Sequence, residues 1–130
     1  MALQLGATLR NNMIGQVQFS VGASGVLKVF SGAEPANCAA ADPSGLLATI
    51  TLPATVLTNT GGVTTLAGTW SGIATGAGTA ATFRIYDGSG TCHLQGNVGT
   101  SGADLNLNNT TIAIGQSVSV TGFALTAPNA

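Results

Sequence analysis

The chain has 130 residues, of which 45% are hydrophobic, and only three basic and four acidic side chains give it a net charge of −1. Enzymes gather ionisable groups in a cleft and nucleic-acid binders need basic side chains, so this composition argues against both classes. The length predicts one domain with a single core. Because charges are the costly groups to desolvate, an uncharged polar surface suits a subunit of a large assembly, as well as a plain Thr/Ser-rich β protein.

The first segment of the chain has helical periodicity. Four apolar residues recur at a spacing of four, which places them on one stripe of a helix: Leu5, Leu9, Met13 and Val17. Two glycines weaken this helix, and a lone helix of such length is marginal in water. We therefore predict a helical arm over residues 1–22 that docks on its own domain or, alternatively, on a neighbouring protein.

From residue 26 onward the apolar residues alternate with a period of two, as in β-strands. A short strand over 26–30 precedes a long polar loop, Ser31–Gly45, in which Pro35 and Pro43 prevent regular structure. Further strands are predicted over 46–52, 63–73, 79–86 and 91–98, with short ones near 105–107 and 112–114 and a last one over 118–125. About eight strands separated by turns predict an all-β domain over 23–130, a jelly-roll-like fold or β-sandwich that follows an N-terminal helix or arm.

Two local features refine this prediction. The turn Asp87–Gly90 joins its two flanking strands as a hairpin, and a change of phase at Thr121-Gly122 predicts a β-bulge. In the strand after the hairpin turn, alternation places Cys92 in the core and His93 on the surface. The large aromatic residues Trp70 and Tyr86 are expected in the core rather than at an interface.

The two cysteines and Arg84 leave alternatives open. Cys38 and Cys92 are too few for a disulfide framework or a zinc site. We predict two buried thiols, since free cysteine is among the most buried residue types, with a single bridge formed in an oxidising medium as the alternative. Arg84 lies opposite the face of Phe83 and Ile85, as a solvated strand charge or as an interface donor.

Motifs that carry chemistry are weak in this sequence. Residues 76–81 fit the dinucleotide fingerprint G-x-G-x-x-A, but a strand follows where that fingerprint needs a helix, so a glycine-rich turn is predicted. Residues 104–108 match the opening of an EF-hand loop and lack its later glycine and glutamate. The neighbouring residues Cys92 and His93 point to opposite faces of a strand and form no catalytic dyad. We predict a protein that is not an enzyme and has no catalytic residues, cofactor or metal.

Three stretches of the chain carry a family resemblance: Pro35–Gly45 (PANCAAADPSG), Phe83–Asp87 (FRIYD) and Asn109–Val118 (NTTIAIGQSV). Together with Leu5-Gly6 and the segment Leu9–Asn12, they make the chain resemble, over nearly its whole length, a family of small structural proteins encoded by tailed bacteriophages. The resemblance implies a capsid decoration, or cement, protein: a small β-sandwich or jelly-roll subunit outside the major capsid lattice, often a dimer or trimer. It implies no catalytic motif.

The expected function is therefore to bind the outside of the major capsid lattice and stabilise the head. The partners would be the major capsid protein and further copies of this chain, with no nucleic acid and no membrane. The opening residues lack the features of a signal peptide, so synthesis in the host cytoplasm and a place on the virion exterior are expected. The alternative is a phage neck, tail or fibre component that binds a host.

The expected contacts come from the helical arm and from the long loop, as flexible elements that order on binding. The interface candidates are Leu5, Leu9, Arg10, Met13, Val17, Pro35, Asn37, Asp42 and Arg84.

Overall fold

The computed structural model describes residues 3–53, 57–60, 63–66 and 68–126. In these ranges the chain forms one helix, α1 (Ala7–Val21), and eleven strands, which confirms the all-β class with an N-terminal helix. The strands are β1 (Val26–Phe30), β2 (Leu46–Thr51), β3 (Leu57–Thr60), β4 (Val63–Leu66), β5 (Ser71–Ile73), β6 (Gly78–Thr79), β7 (Thr82–Tyr86), β8 (Cys92–Gly99), β9 (Leu105–Leu107), β10 (Thr111–Ile112) and β11 (Ser117–Thr126).

Seven of these strands form a nearly closed sheet in the order β2-β1-β7-β8-β9-β11-β5. Among the described strands of this sheet every pairing is antiparallel except that of β8 with β9. A single bridge between Ala48 and Ala74 brings β5 back towards β2. The backbone N–H groups of Thr75 and Gly76 also donate to the carbonyl of Leu47, at 2.9 and 3.1 Å. The β3–β4 hairpin extends the sheet from the last residues of β11.

The interior of this barrel-like sheet is filled by apolar side chains from every strand of the ring except β5. Trp70 is buried there, as predicted, and its ring lies 5.6 Å from that of Phe123. Phe83 meets Phe123 edge-on at 5.9 Å between the ring centroids. Since aromatic pairs add to the free energy of area burial, this trio is a major part of the core.

The predicted helix is present, but the face it buries differs from the predicted stripe. Ile14 and Val21 are buried and Val17 packs against the core, whereas Leu9 and Met13 are 50% and 44% exposed. A strict spacing of four drifts by about 40° at each step around an α-helix, while spacings of three and four together stay on one line. The helix therefore packs on its own barrel, where its contacts are with β3, β4 and β8.

Besides a register shift between β1 and β2, where Val29 pairs with Ala48 but Phe30 pairs with Leu46, two β-bulges adjust the sheet. The predicted one is confirmed, because the register of β11 against β9 shifts between Val120 and Gly122. A second was not predicted: Ile85 pairs with Leu94 but Tyr86 pairs with Cys92, so His93 is the extra residue of β8. This bulge turns Cys92 away from the core face, and the prediction that Cys92 lies in the core is therefore wrong.

Candidate functional site

The loop Ser31–Gly45, called the proline-cysteine loop below, lies over the outer face of β7 and β8. Like the prediction, the structure gives it no helix and no strand. Two backbone bonds close its base: the N–H of Ser31 donates to the carbonyl of Gly45 at 2.9 Å, and the N–H of Gly32 to that of Ser44 at 3.0 Å. Gly45 has a φ of 74°, a left-handed conformation that glycine adopts without a steric penalty.

Alternate side chains of β7 hold this loop. Phe83 and Ile85 face the core, so Thr82, Arg84 and Tyr86 face outward beneath the loop. Thr82 Oγ1 donates to the carbonyl of Gly32 at 3.0 Å. The strand thereby presents three polar side chains in one row to the loop that follows β1.

Arg84 is the central contact of this row. Its Nη1 donates to the carbonyl of Ala40 at 2.9 Å and to Asp42 Oδ1 at 3.0 Å, and its Nη2 donates to the carbonyl of Asn37 at 3.0 Å. The side chain is 2% exposed. Arg84 is therefore neither a solvated strand charge nor an available interface donor, since it is buried and both of its Nη atoms bind the loop of its own chain.

Tyr86 completes the anchorage of Asp42. Its hydroxyl donates to Asp42 Oδ1 at 2.5 Å, so two donors converge on one carboxylate oxygen. Burial is the first cause that raises the pKa of Tyr86, and the bond to Asp42 is the second. The ammonium of Lys28 lies 5.0 Å from the centre of the Tyr86 ring, within the range of a cation–π contact.

Strand β8 adds two more connections to the loop. Gln95 Nε2 donates to the carbonyl of Pro35 at 2.8 Å, and Cys92 forms a disulfide bond with Cys38. The Cα atoms of the cysteines are 5.4 Å apart and the bond joins residues 54 positions apart in sequence. The prediction of two buried thiols is wrong, because the bulge at His93 turns Cys92 outward to the loop that carries Cys38.

A cleft of about 440 Å³ lies beside these anchors. Lys28, Asp42, Tyr86, Asp87 and the disulfide line it. The Asp87 carboxylate already accepts bonds from the backbone of Ser89 and Thr91 and from His93, and the bond from His93 is the main cause that holds the pKa of Asp87 below its usual range. These carboxylates thus hold a turn and a loop in place.

The described part of the chain contains no cluster of side chains typical of a metal site. No three or more His, Cys, Asp or Glu side chains are grouped there in a way that could hold a metal ion. Asp104, which opens the partial EF-hand motif, instead exchanges bonds with Asn97: Asn97 N–H donates to Asp104 Oδ2 and Asp104 N–H to Asn97 Oδ1. The described residues also include no helix with the length and hydrophobicity needed to span a bilayer.

The second candidate surface is the outer helix face, defined here as Leu9, Met13 and Phe19. Phe19 is 81% exposed, more than either of the other two. Arg10 is the only charged residue between Ala7 and Val21, and it is half-buried. Of the other helical candidates, Leu5 is half-buried and Val17 packs against the core. Sequence periodicity identified Leu9 and Met13 but missed Phe19, which lies off the predicted stripe.

The loop candidates are held in place rather than free. Asn37 Oδ1 accepts bonds from the N–H groups of Ala39 and Ala40, at 3.0 and 3.1 Å, which closes a local turn. Asp42 is bound by Arg84 and Tyr86, and Pro35 by Gln95. The loop is thus joined to β7 and β8 at several points, and the expectation that it makes contacts as an element that orders on binding stays a prediction.

The comparisons with known proteins return nothing: no family model, no curated protein and no solved structure matches the chain.

Proposed function

We propose that the protein is a bacteriophage capsid decoration protein, which binds the outside of the major capsid lattice and stabilises the head. The observation that supports this most is the outer helix face, where exposed apolar side chains stand on a helix that is itself fixed to the barrel through Ile14 and Val21. A contact there buries apolar area with no charge of the face to desolvate. These side chains are separate contact points rather than one patch, because by helix geometry Phe19 lies about 120° around the axis from Met13 and about 15 Å along it from Leu9.

The proline-cysteine loop is the second proposed contact. Asn37 and Asp42 are exposed on it, while their backbone and carboxylate are fixed by Arg84. A surface that is ordered before binding loses less conformational entropy on binding. On a symmetric lattice, dimers or trimers of the chain would repeat such contacts many times, so that individually weak contacts add up through multivalency.

The alternative is a neck, tail or fibre component that binds a host molecule. The cleft beside Tyr86 favours it, since its volume of about 440 Å³ lies within the range of ligand sites. The two proposals differ in stoichiometry. Quantitative mass spectrometry of purified virions would give about one copy per major capsid subunit, or a simple fraction of one, for a lattice-wide decoration protein. A handful of copies per particle favours the alternative, and absence from virions contradicts both.

The contact surface is tested by binding to capsids that lack this protein. Deleting residues 2–20 is unsuitable, because the deletion also removes Ile14 and Val17 from the folded domain. The double variant Leu9→Ser/Phe19→Ser keeps the buried face and should weaken capsid binding at least about tenfold. Ile114, which is 73% exposed on the barrel, supplies the matched control. If Ile114→Ser weakens binding as much, or if the helix variant binds normally, the helix face is not the contact.

A further inference from the structure

The polypeptide around Cys38 is fixed by bonds that do not involve sulfur. On one side of the cysteine, the carbonyls of Pro35 and Asn37 accept bonds from Gln95 and Arg84. On the other side, the carbonyl of Ala40 and the carboxylate of Asp42 accept bonds from Arg84. Cys38 is therefore held from both directions.

Cys92 is fixed by the sheet. It pairs with Tyr86 across the β7–β8 ladder, and the bulge at His93 sets the direction of its side chain. Tyr86 in turn binds Asp42, four residues after Cys38. The same short stretch of β7 and β8 thus contacts the backbone on both sides of Cys38 and pairs with Cys92.

We propose that the Cys38–Cys92 disulfide is a late lock: the chain folds with two thiols and a seated proline-cysteine loop under reducing conditions, and the bond closes afterwards, on contact with an oxidising medium, with no rearrangement of the loop. The inference does not depend on the proposed function. It assigns to Arg84 the role of a positioning residue for the oxidation of two other side chains.

The closing step is thiol–disulfide exchange with a small-molecule disulfide such as oxidised glutathione. The thiolate of one cysteine attacks that disulfide, forms a mixed disulfide and releases one glutathione thiol. The second cysteine, as its thiolate, then attacks the protein sulfur and releases the other glutathione. Two protein thiols are oxidised, one glutathione disulfide is reduced to two thiols, and the two thiol protons pass to the departing glutathione thiolates.

The energetic reason for the order of events is effective concentration. Two cysteines on a flexible chain meet at effective concentrations of about millimolar, whereas oriented groups reach far higher values. The hydrogen bonds of Arg84 and Tyr86 supply the orientation before oxidation. Thermodynamic linkage makes this effect mutual. A hydrogen bond that raises the effective concentration of the two thiols is itself stabilised by the same factor when the disulfide is closed.

A nuclear magnetic resonance comparison of the oxidised and reduced full-length protein tests the first half of the proposal. The amide signals of residues 31–45 and the guanidinium signal of Arg84 should stay dispersed after reduction, with shifts confined to the neighbours of Cys38 and Cys92. If the loop signals collapse to random-coil positions on reduction, the disulfide seats the loop and the proposal is overturned.

A redox titration in glutathione buffers tests the second half. Arg84→Gln should lower the effective concentration of the two thiols at least about tenfold because it removes orienting bonds, and Asp42→Asn about threefold because it removes the charge that strengthens the bonds from Arg84 and Tyr86. Glu34→Gln is the matched carboxylate-to-amide control in the same loop and should change the value less than about twofold. If Arg84→Gln fails to fold, Tyr86→Phe joins Asp42→Asn in the comparison. Equal effective concentrations in the wild type, the control and the anchor variants would overturn the role of the anchors.

Discussion

Arg84 is a charged side chain with almost no access to water, and acceptors bind both of its Nη atoms, while its buried Nε has no partner. Two backbone carbonyls and one carboxylate oxygen accept from it at 2.9–3.0 Å. Burying an unpaired charge costs several kcal/mol, but Asp42 supplies the opposite charge from a side chain that is itself 43% exposed. The pair thus keeps one member in water while the other fixes the loop.

Replacing this residue tests how much of the stability depends on it. Arg84→Met keeps the length of the side chain and leaves the carbonyls of Asn37 and Ala40 without their donor, so we expect the free energy of unfolding to fall by about 2–4 kcal/mol. The measurement is urea unfolding of the oxidised protein. Lys28→Met, which removes only the contact over the Tyr86 ring, is the control and should cost about 0.5–1 kcal/mol. Equal losses in the two variants would contradict the central role of Arg84.

Tyr86 gives a prediction on pH, because it is the only tyrosine of the chain. Burial and the bond to Asp42 raise its pKa above the ordinary value of about 10. The unfolded chain therefore releases the phenolic proton more readily than the folded one. The stabilisation is complete below pH about 10 and is lost as the pH rises through the raised pKa of the folded protein.

The measurement is an absorbance titration of phenolate in folded and in denatured protein. We expect little phenolate at about pH 11 in the folded state and nearly full ionisation of the denatured chain. Asp42→Asn should lower the pKa of Tyr86 only in part, since burial is the larger cause. A folded-state titration centred near pH 10 would show that Tyr86 is not buried against Asp42.

At the scale of the element, helix α1 has two faces with different roles. Its inner face joins the core through Ile14, Val17 and Val21, and Gln18 Oε1 accepts a bond from the N–H of Leu57 at 3.0 Å. Its outer face leaves Leu9, Met13 and Phe19 exposed. Apolar side chains thus lie on both sides of a helix that carries a single charge, and the barrel covers only one of these sides.

The two faces should respond differently to truncation of their side chains. Ile14→Ala should lower the free energy of unfolding by about 2–4 kcal/mol, as loss of buried methylene groups does in other cores. Leu9→Ala should change it by less than about 0.5 kcal/mol, because its side chain is already half in water. Thermal unfolding of both variants checks this. A large loss for Leu9→Ala would mean that Leu9 supports the fold and is not kept for a partner.

At the scale of the whole molecule, the barrel is joined by contacts between segments far apart in sequence. The disulfide bond joins two residues that are 54 positions apart in sequence, and it links the proline-cysteine loop covalently to β8. Long closed loops of this kind stabilise a fold chiefly because they restrict the unfolded chain.

Reduction should therefore lower the stability without unfolding the protein. We expect a loss of about 2–4 kcal/mol on reduction, which is the typical contribution of a disulfide, with the folded structure retained. Urea unfolding with and without a reductant measures it, and the double variant Cys38→Ser/Cys92→Ser serves as a second, reductant-free comparison. If the reduced protein is unfolded in the absence of urea, the disulfide is a condition of folding and not an addition to it.

The sequence by itself determined the local features of this protein: one helix, strands of period two, the hairpin at Asp87–Gly90, the bulge at Thr121-Gly122 and the burial of Trp70. These depend on the backbone preferences and polarity of neighbouring residues, which are readable along the chain. The tertiary structure alone decided the role of Arg84, the direction of Cys92 and the buried face of the helix. Each depends on a partner far away in sequence: Asn37 for Arg84, Cys38 for Cys92 and strand β8 for the helix. A one-residue bulge at His93 was enough to reverse the face of Cys92, because in a strand every single-residue shift exchanges the two sides.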